Sequence, residues 1–333
     1  MTGGSGFLGG WCVTELLARG HEVRTTIRDR SRETEVRERL AAGPEDSSRL
    51  SFFEADLNDD AGWTDAVSGC EFVLHVASPF PESQPRDPDE LIVPARDGAL
   101  RVLGAALASD VRRVVLTSSS AAVRNGGEEP HPEPYTEADW TDPDMPGLTP
   151  YARSKTIAER AAWDLAAQNG ASDRLAVVNP SAILGPVQGD EFSFSLQIIQ
   201  RMLKGMPGVP RLGFGFVDVR DVADLQIRAM SDPAAGGERF IASGPFLWLS
   251  EVAAILRERL PREAAKAPGR VVPKPLIRLM GLFDPSVRSI VGDIGKKATY
   301  SAEKAKTVLG WEPRPIEDTI ADCARSLIAK EKA

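Results

Sequence analysis

Residues 2–9 read Thr2-Gly3-Gly4-Ser5-Gly6-Phe7-Leu8-Gly9 and contain the spacing Gly-x-Gly-x-x-Gly at Gly4, Gly6 and Gly9. A helix is predicted directly after them, from Trp11 to Arg19. Glycines in such a turn let the backbone approach a pyrophosphate closely, and the next helix directs its positive dipole end at the phosphates. A flexible glycine-rich N-terminus has the same composition, so the interpretation depends on the next segment of the chain. Because that segment is a predicted strand, the stretch predicts a dinucleotide-binding unit.

The segment after the turn carries residues that would determine whether the protein binds NADP(H) or NAD(H). A strand is predicted over residues 22–27, and Arg28 stands roughly twenty residues beyond the glycines, where such a unit meets the adenosine ribose. Arg28 and Arg32 could clamp a 2′-phosphate through charge-assisted hydrogen bonds. A carboxylate would instead accept from the ribose hydroxyls, and Asp29 keeps that interpretation open. The sequence therefore predicts NADP(H), with NAD(H) less favoured.

The first half of the chain alternates strands and helices. Strands are predicted at 22–27, 50–54, 72–76, 113–117 and 175–179, and helices near 7–19, 32–42, 60–68, 90–109 and 150–169. This alternation predicts an α/β fold with a Rossmann-like, doubly wound parallel sheet.

Beyond residue 179 the pattern changes to short elements interrupted by proline and glycine. A strand running into a helix is predicted over 216–231. We expect an NADP-binding Rossmann domain and a smaller substrate-binding lobe. The first comprises residues 1–179 plus about 216–243, and the second comprises 180–215 plus 244–333.

The start of the chain is unusual for this fold. Only Met1 precedes the glycine turn, whereas a strand of about five apolar residues normally lies there, in the middle of the sheet. Without it, two interior strands would lack a partner, and each buried unpaired backbone group costs roughly 1–3 kcal/mol. The sequence therefore predicts that this start reflects start-site choice or cropping and that a short Val/Ile/Leu-rich extension precedes it.

A strand that ends in hydroxyls and a Tyr-x-x-x-Lys pair indicate the chemistry. Residues 114–120 form an apolar strand with serines at its end, and side chains at the carboxyl end of such a strand point into the ligand crevice. Tyr151 and Lys155 fall on one helix face, one turn apart. Lowering the pKa of a tyrosine from about 10 toward about 7 takes roughly 4 kcal/mol, much of which a nearby cation can supply. Together with the glycine turn, the pair predicts a tyrosine whose pKa Lys155 lowers.

These motifs, in this order, resemble the extended short-chain dehydrogenase/reductase superfamily over nearly the whole chain. Four stretches are similar to its dihydroflavonol-reductase-like branch: Phe72–Pro79, Leu116–Ser119, Ala158–Trp163 and Asn179–Ser181. That branch includes cinnamoyl-CoA reductases and microbial aldehyde and ketone reductases. The resemblance implies NADPH-dependent reduction of an aldehyde or ketone, with the reverse oxidation using the same groups. It also implies that the strand at the start of 216–231 returns to the main sheet.

The resemblance assigns roles to individual residues as well. Tyr151 would protonate the forming alkoxide, Lys155 would in addition bind the nicotinamide ribose, and Ser119 would stabilise the carbonyl oxygen. In the sugar-epimerase branch the equivalent hydroxyl falls on Ser120, so both serines stay open. The implied cofactor-binding residues are Gly3, Gly6, Phe7, Leu8, Gly9, Arg28, Arg32, Asp56, Leu57, Val76, Ala77, Tyr151, Lys155 and Pro180.

Two other functions are compatible with the same fold. Nucleotide-sugar epimerases commonly place Tyr-Gly where this chain has Arg124-Asn125, and dehydratases place Thr-Asp-Glu where this chain has Ser118-Ser119-Ser120. A non-catalytic NADP(H)-binding sensor would usually lose the tyrosine or the lysine, and both are present. The reductase is therefore the favoured prediction.

Composition limits the partners and the compartment. The net charge of −8 and the pI near 5.2 argue against general binding to nucleic acid or to anionic membranes. Three widely spaced cysteines suggest neither a disulfide framework nor a zinc site, and the three histidines lack metal-ligand spacing. With no apolar run of about 20 residues and no basic leader, we expect a cytoplasmic protein without a metal. The resemblance implies in addition a small-molecule carbonyl substrate and a monomer or homodimer.

Three further polar residues are predicted to be structural. His75 lies inside an apolar strand and is expected to be a core histidine rather than a catalytic base. Asp218 and Asp221 are spaced for one helix end, where aspartate caps the helix or complements its dipole.

Overall fold

The computed structural model describes residues 1–40, 47–79, 87–124, 134–189, 193–283, 287 and 290–332. The end of the helix predicted over 32–42 and residue 125 of the epimerase comparison lie outside these ranges. The strands are β1 Val23–Ile27, β2 Leu50–Glu54, β3 Phe72–His75, β4 Arg113–Thr117, β5 Leu175–Pro180, β6 Ala182–Leu184, β7 Val209–Pro210, β8 Gly213–Asp218, β9 Arg239–Ala242, β10 Phe246–Trp248 and β11 Val271–Val272. The helices are α1 Phe7–Ala18, α2 Glu33–Leu40, α3 Trp63–Val67, α4 Asp89–Leu107, α5 Pro150–Gln168, α6 Phe194–Lys204, α7 Val219–Ser231, α8 Leu249–Arg259, α9 Lys274–Met280, α10 Glu303–Leu309 and α11 Ile316–Lys332.

The main sheet is parallel, as predicted. Its strand order is β3-β4-β5-β9, and β1 and β2 form a separate parallel pair. Each of the five strands predicted in the first half appears within one residue of its expected bounds. The prediction of a Rossmann-like α/β fold is confirmed.

Met1 and Thr2 lie between these two groups of strands. The Thr26 N–H donates to the Met1 carbonyl at 3.1 Å, and the Thr2 N–H donates to the Leu74 carbonyl at 2.9 Å. Thr2 also forms an isolated parallel bridge with His75. Residues 1–2 therefore occupy the position between β1 and β3 at which the sequence predicts the first strand of this fold.

Alternating residues of the central strands reach opposite faces of the sheet, because side chains of a strand alternate with a period of two. Val115 packs in a core with α1 and α7, whereas Val114 and Leu116 pack in a second core with α3, α4 and α5. Helices thus cover both faces, which explains why these strands appear in the sequence as continuous apolar runs.

The C-terminal half departs from the prediction at β8. This strand does not return to the main sheet: it pairs with β6 in parallel and with β10 in antiparallel orientation, and β9 takes the edge of the main sheet instead. The close approach of β10 depends on glycine, since a Cβ on Gly213 would lie 2.4 Å from the Phe246 ring. Phe216 of β8 packs in a third core with α6, α8 and α11.

The chain after α9 contributes to two different cores: residues 302–311 pack with the N-terminal half, and α11 packs with the C-terminal half. Ala302, Leu309 and Trp311 pack in the same core as α1 and β1, whereas α11 packs in the core of the C-terminal half. Within the described ranges, no helix combines the length and the apolar character needed to cross a membrane.

Candidate active site

The glycine turn leads directly into α1. Gly6 is the N-cap of this helix, with extended backbone (φ −82°, ψ 172°), and Gly3 has a positive φ of 75°. A Cβ on Gly9 would lie 1.9 Å from the Gly3 carbonyl oxygen, so the turn closes only with glycine there. Because the first N–H groups of a helix have no partner within it, the amides of residues 7–9 are available to an anion.

The Thr2 hydroxyl connects the turn to the end of β3. Its Oγ1 accepts hydrogen bonds from the backbone N–H groups of Val76 and Ala77, at 3.1 and 3.0 Å, and lies 2.8 Å from Nδ1 of His75. A Cβ on Gly3 would lie 3.0 Å from the Cα of Ala77. Two of the predicted cofactor-binding residues, Val76 and Ala77, are thereby held beside the glycine turn.

The end of β1 presents the residues expected to choose the cofactor. Arg28 is exposed directly after the strand. The Asp29 carboxylate accepts from the Ser31 N–H at 2.8 Å, which engages it in a local turn. Hydrogen bonds from the Ser31 side chain and from its N–H lower the pKa of Asp29. Arg32 pairs with Glu35 at 3.2 Å, so its guanidinium already has an acidic partner.

The other predicted cofactor residues come at the ends of neighbouring strands. Asp56 and Leu57 come after β2, where the Asp56 carboxylate accepts from the Asn58 N–H at 2.8 Å. Leu57 packs against α4, since a Cβ on Gly98 would lie 2.9 Å from the Cβ of Leu57. Pro180 is buried in the last position of β5. Parallel strands place all these residues at the carboxyl edge of the sheet.

The serine segment and α5 meet at the same edge. Thr149 caps α5 by accepting from the Ala152 N–H, and Pro150 occupies the first turn, so the helix starts immediately before Tyr151. Ser119 is 8% exposed and caps a short 3₁₀ turn, Ser120–Ala122, by accepting from the Ala121 N–H. Tyr151 shares a side-chain hydrogen bond with Ser119.

Burial is the largest influence on the pKa of Tyr151 and on that of Lys155, both on α5. Burial raises the pKa of Tyr151, and the hydrogen bond with Ser119 acts in the opposite direction. Burial lowers the pKa of Lys155 to about 8, and the negative charge of Glu159 opposes that change. The pKa of Tyr151 is therefore raised and not lowered as predicted, because the cost of burying a phenolate dominates.

A buried polar cluster lies next to these residues, and the sequence analysis did not predict it. Glu159 has no exposed surface, and its carboxylate accepts hydrogen bonds from Ser118 (2.5 Å), Asn179 (2.8 Å) and Arg239 (2.6 Å). The signal that was missed is the spacing of Glu159, four residues after Lys155 and therefore on the same helix face. Arg239 had no sequence signal, because β9 was not predicted as a strand.

The three polar residues predicted to be structural are His75, Asp218 and Asp221, and each lies in a buried or paired position. His75 is 3% exposed, and burial lowers its pKa to about 3, so the ring is neutral. Asp218 caps α7 by accepting from the Arg220 N–H and also contacts Thr319 at 2.8 Å. Asp221 pairs with Arg314 at 2.8 Å.

Comparison with known proteins agrees with this architecture. A family model described as the NAD dependent epimerase/dehydratase family matches residues 1–242. Cinnamoyl-CoA reductase CAD2 of Medicago truncatula is 33% identical over 338 residues, covering 100% of this chain and 96% of that protein. A dihydroflavonol 4-reductase of Zea mays is 34% identical over 273 residues, covering 78% of this chain and 76% of that protein.

A solved structure extends the comparison to the fold of the whole chain. The yeast methylglyoxal/isovaleraldehyde reductase Gre2, crystallised with NADPH, superposes with a TM-score of 0.82 at 26% identity, covering 99% of this chain and 98% of that one. Fold and relatives together define an NAD(P)-dependent oxidoreductase of the extended short-chain dehydrogenase/reductase type. The chain belongs to the NAD dependent epimerase/dehydratase family.

Proposed function

We propose that the protein is an NADPH-dependent reductase of aldehydes or ketones. The observation that carries the proposal is the hydrogen bond between Tyr151 and Ser119. Tyr151 lies one helical turn before Lys155 on α5, at the same edge of the sheet as the glycine turn. A proton donor, an oxyanion donor and a cation thus occupy one region. These are the three groups needed to reduce a carbonyl with a bound hydride donor.

The residues of the glycine turn fit a dinucleotide. The space next to Gly3 and Gly9 is closed to any side chain, and the N-terminus of α1 offers backbone N–H groups. Gly3, Gly6, Phe7, Leu8 and Gly9 would hold the pyrophosphate. When bound, the reduced nicotinamide supplies the hydride for the carbonyl carbon of the substrate.

The choice of NADPH rests on the end of β1. Arg28 is exposed, whereas the Asp29 carboxylate is engaged with Ser31. A guanidinium is suited to a 2′-phosphate because it offers several hydrogen bonds in a fixed geometry. Arg28 would make this contact, with Arg32 contributing less because of its ion pair with Glu35.

Three side chains would then supply the proton and stabilise the negative charge that develops during the reaction: Tyr151, Ser119 and Lys155. Because burial raises the pKa of Tyr151, its phenol keeps its proton at neutral pH and is ready to donate to the forming alkoxide. Ser119 would donate a hydrogen bond to the same oxygen. Lys155, with a pKa of about 8, is mostly cationic at pH 7 and would stabilise negative charge on the phenol oxygen after proton transfer. The contact with Tyr151 favours Ser119 over Ser120 for the oxyanion role.

The division into domains is part of the proposal. The cofactor would lie on residues 1–179 plus about 216–243, and the substrate would be selected by 180–215 and 244–333. Because residues 302–311 pack into the first core, this segment, which precedes α11, would anchor the second lobe to the Rossmann domain.

The test is oxidation of NADPH by the purified chain with a panel of aliphatic, aromatic and dicarbonyl compounds, followed at 340 nm (roughly the absorbance maximum of the reduced nicotinamide). We expect cofactor consumption with at least one aldehyde or ketone. Tight NADPH binding without consumption would support the sensor, and interconversion of nucleotide sugars without net consumption would support the epimerase. Either result would contradict the reductase.

A further inference from the structure

Glu159 is the most completely enclosed acid near the candidate active site. It lies on α5 with no exposed surface, and its three hydrogen-bond donors come from different parts of the sheet. Ser118 comes directly after β4, Asn179 belongs to β5 and Arg239 begins β9. One carboxylate therefore joins the helix that carries Tyr151 and Lys155 to three adjacent strands.

The Glu159 carboxylate is linked both to the backbone of Ser119 and to the charge of Lys155. Asn179 uses its Nδ2 atom twice, donating to Glu159 at 2.8 Å and to the backbone carbonyl of Ser119 at 3.2 Å. On the helix, the negative charge of Glu159 favours the protonated form of Lys155 and opposes the effect of burial. Glu159 therefore acts both on the position of the Ser119 backbone, through Asn179, and on the charge of Lys155.

The charges around Glu159 come from three elements. Arg239 forms the direct ion pair through Nε at 2.6 Å, and its Nη1 donates to the backbone carbonyls of Glu137 and Asp139. Its Cζ lies 3.7 Å from the centroid of the Trp140 ring. Lys155 faces Glu159 along α5, and His75 of β3 is neutral. Arg239 is therefore the direct ionic partner of Glu159, and the negative charge of Glu159 also favours the cationic form of Lys155.

Stability alone is a weak explanation for this arrangement. Removing a carboxylate and a guanidinium from water costs several kcal/mol, and apolar replacement of buried ion pairs is often neutral or stabilising. The pair at Glu159 is placed where its charge acts on Lys155, whereas the contacts of Asp218 and Asp221 with Arg314 join the start of α7 to the C-terminal part of the chain.

We propose that Glu159 is a positioning residue: it keeps Lys155 cationic and, through Asn179, holds the backbone that presents Ser119. This inference rests on the proposed function for its meaning in catalysis. The electrostatic half can be measured without any substrate, so failure of one does not imply failure of the other.

The direct test is an NMR titration of the lysine side chains in the full chain labelled with ¹³C and ¹⁵N at lysine, with Lys155→Arg used to assign the Lys155 signal. In the wild type we expect a midpoint near pH 8. In Glu159→Gln the midpoint should move to lower pH, because the neutral amide keeps the shape of the side chain but removes the charge. An unchanged midpoint in folded Glu159→Gln would overturn the proposal.

The matched control is Glu137→Gln. Glu137 is also an acid beside Arg239, but its carboxylate accepts from the Ile241 N–H. This variant should leave the Lys155 midpoint where it is in the wild type, and an equal shift would show a diffuse effect of net charge instead. If Glu159→Gln does not fold, Glu159→Asp retains the charge on a shorter side chain. Its midpoint should lie at or below the wild-type value, because the retained charge cannot favour the lysine cation less than no charge would, and a midpoint above the wild-type value would refute the proposal.

A kinetic measurement tests the link to Ser119. Asn179→Ala removes the bridging amide, and we expect a lower kcat with NADPH affinity unchanged, together with a wild-type Lys155 midpoint. Glu159→Gln should lower kcat as well and shift the alkaline limb of kcat/KM toward lower pH. Loss of stability in Asn179→Ala without a change in kcat would remove this half of the proposal.

Discussion

The glycine turn and the Ser119–Tyr151–Lys155 site lie at the same edge of the sheet and are built in opposite ways. The turn consists of backbone, and its shape excludes side chains, as the 1.9 Å approach of a Cβ on Gly9 to the Gly3 carbonyl shows. The second site consists of side chains whose properties depend on burial and on neighbours such as Glu159. Substitutions in the turn should therefore abolish cofactor binding through steric overlap, and substitutions in the second site should lower activity by removing or changing an ionisable or hydrogen-bonding group.

Gly9→Ala is the strongest test of the steric half of this contrast. We expect loss of measurable NADPH binding in fluorescence titrations, because the new methyl group cannot coexist with the Gly3 carbonyl. Gly104→Ala, within α4, is the control: among the described residues, no heavy atom outside the adjoining backbone of α4 lies within 4 Å of its added Cβ, so binding should be unchanged. Wild-type affinity in Gly9→Ala would mean that the turn is more adaptable than its geometry implies.

Tyr151→Phe is the strongest test of the chemical half. Removal of the general acid should lower turnover by about 10²–10⁴, while the NADPH dissociation constant stays close to the wild-type value. Stopped-flow measurement with a substrate found in the panel separates the two quantities. Turnover near the wild type would exclude Tyr151 as the proton donor.

Ser119→Ala should have a smaller effect, a loss of about 10²–10³ in turnover, as for removal of one oxyanion donor. Ser120→Ala is the matched control, one residue away in the 3₁₀ turn. Steady-state kinetics of both variants decide the assignment. A larger loss in Ser120→Ala would reverse it in favour of the epimerase-like alignment.

Arg28→Ala tests whether the end of β1 selects the cofactor by charge. Loss of charge-assisted hydrogen bonds worth roughly 1.5–3 kcal/mol should weaken NADPH by about 10- to 100-fold and NADH much less. Arg30→Ala is a suitable control because Arg30 donates to the Phe52 carbonyl. Equal weakening of NADPH and NADH in Arg28→Ala would contradict 2′-phosphate recognition.

The pH dependence of kcat/KM should report Lys155. Burial lowers its pKa from 10.5 to about 8, so the cation is present below pH 8 and is lost as the pH rises through that value. We expect a plateau near pH 7 and a decrease of about tenfold by pH 9, since kcat/KM reflects the ionisation of groups in the free enzyme. A plateau that extends beyond pH 10 would show that the charge of Lys155 is not required.

The same division separates the features that the sequence could predict from those it could not. The glycine spacing, the apolar strands and Tyr151 with Lys155 are local patterns, and the structure places them as expected. The position of β8 depended on Gly213 and on pairing with distant β10, so the local strand-to-helix pattern did not reveal it. The pKa of Tyr151 was predicted in the wrong direction because the degree of burial is set by packing between distant segments.

The Thr2 hydroxyl determines where the single ring proton of His75 resides. Thr2 Oγ1 accepts from two backbone N–H groups, those of Val76 and Ala77, so both of its lone pairs are used. Its own hydrogen must then point to Nδ1 of His75, 2.8 Å away, which makes that nitrogen an acceptor. The neutral imidazole is therefore the Nε2–H tautomer. A threonine at the start of the chain thus selects one of two forms of a buried ring that belongs to a different strand.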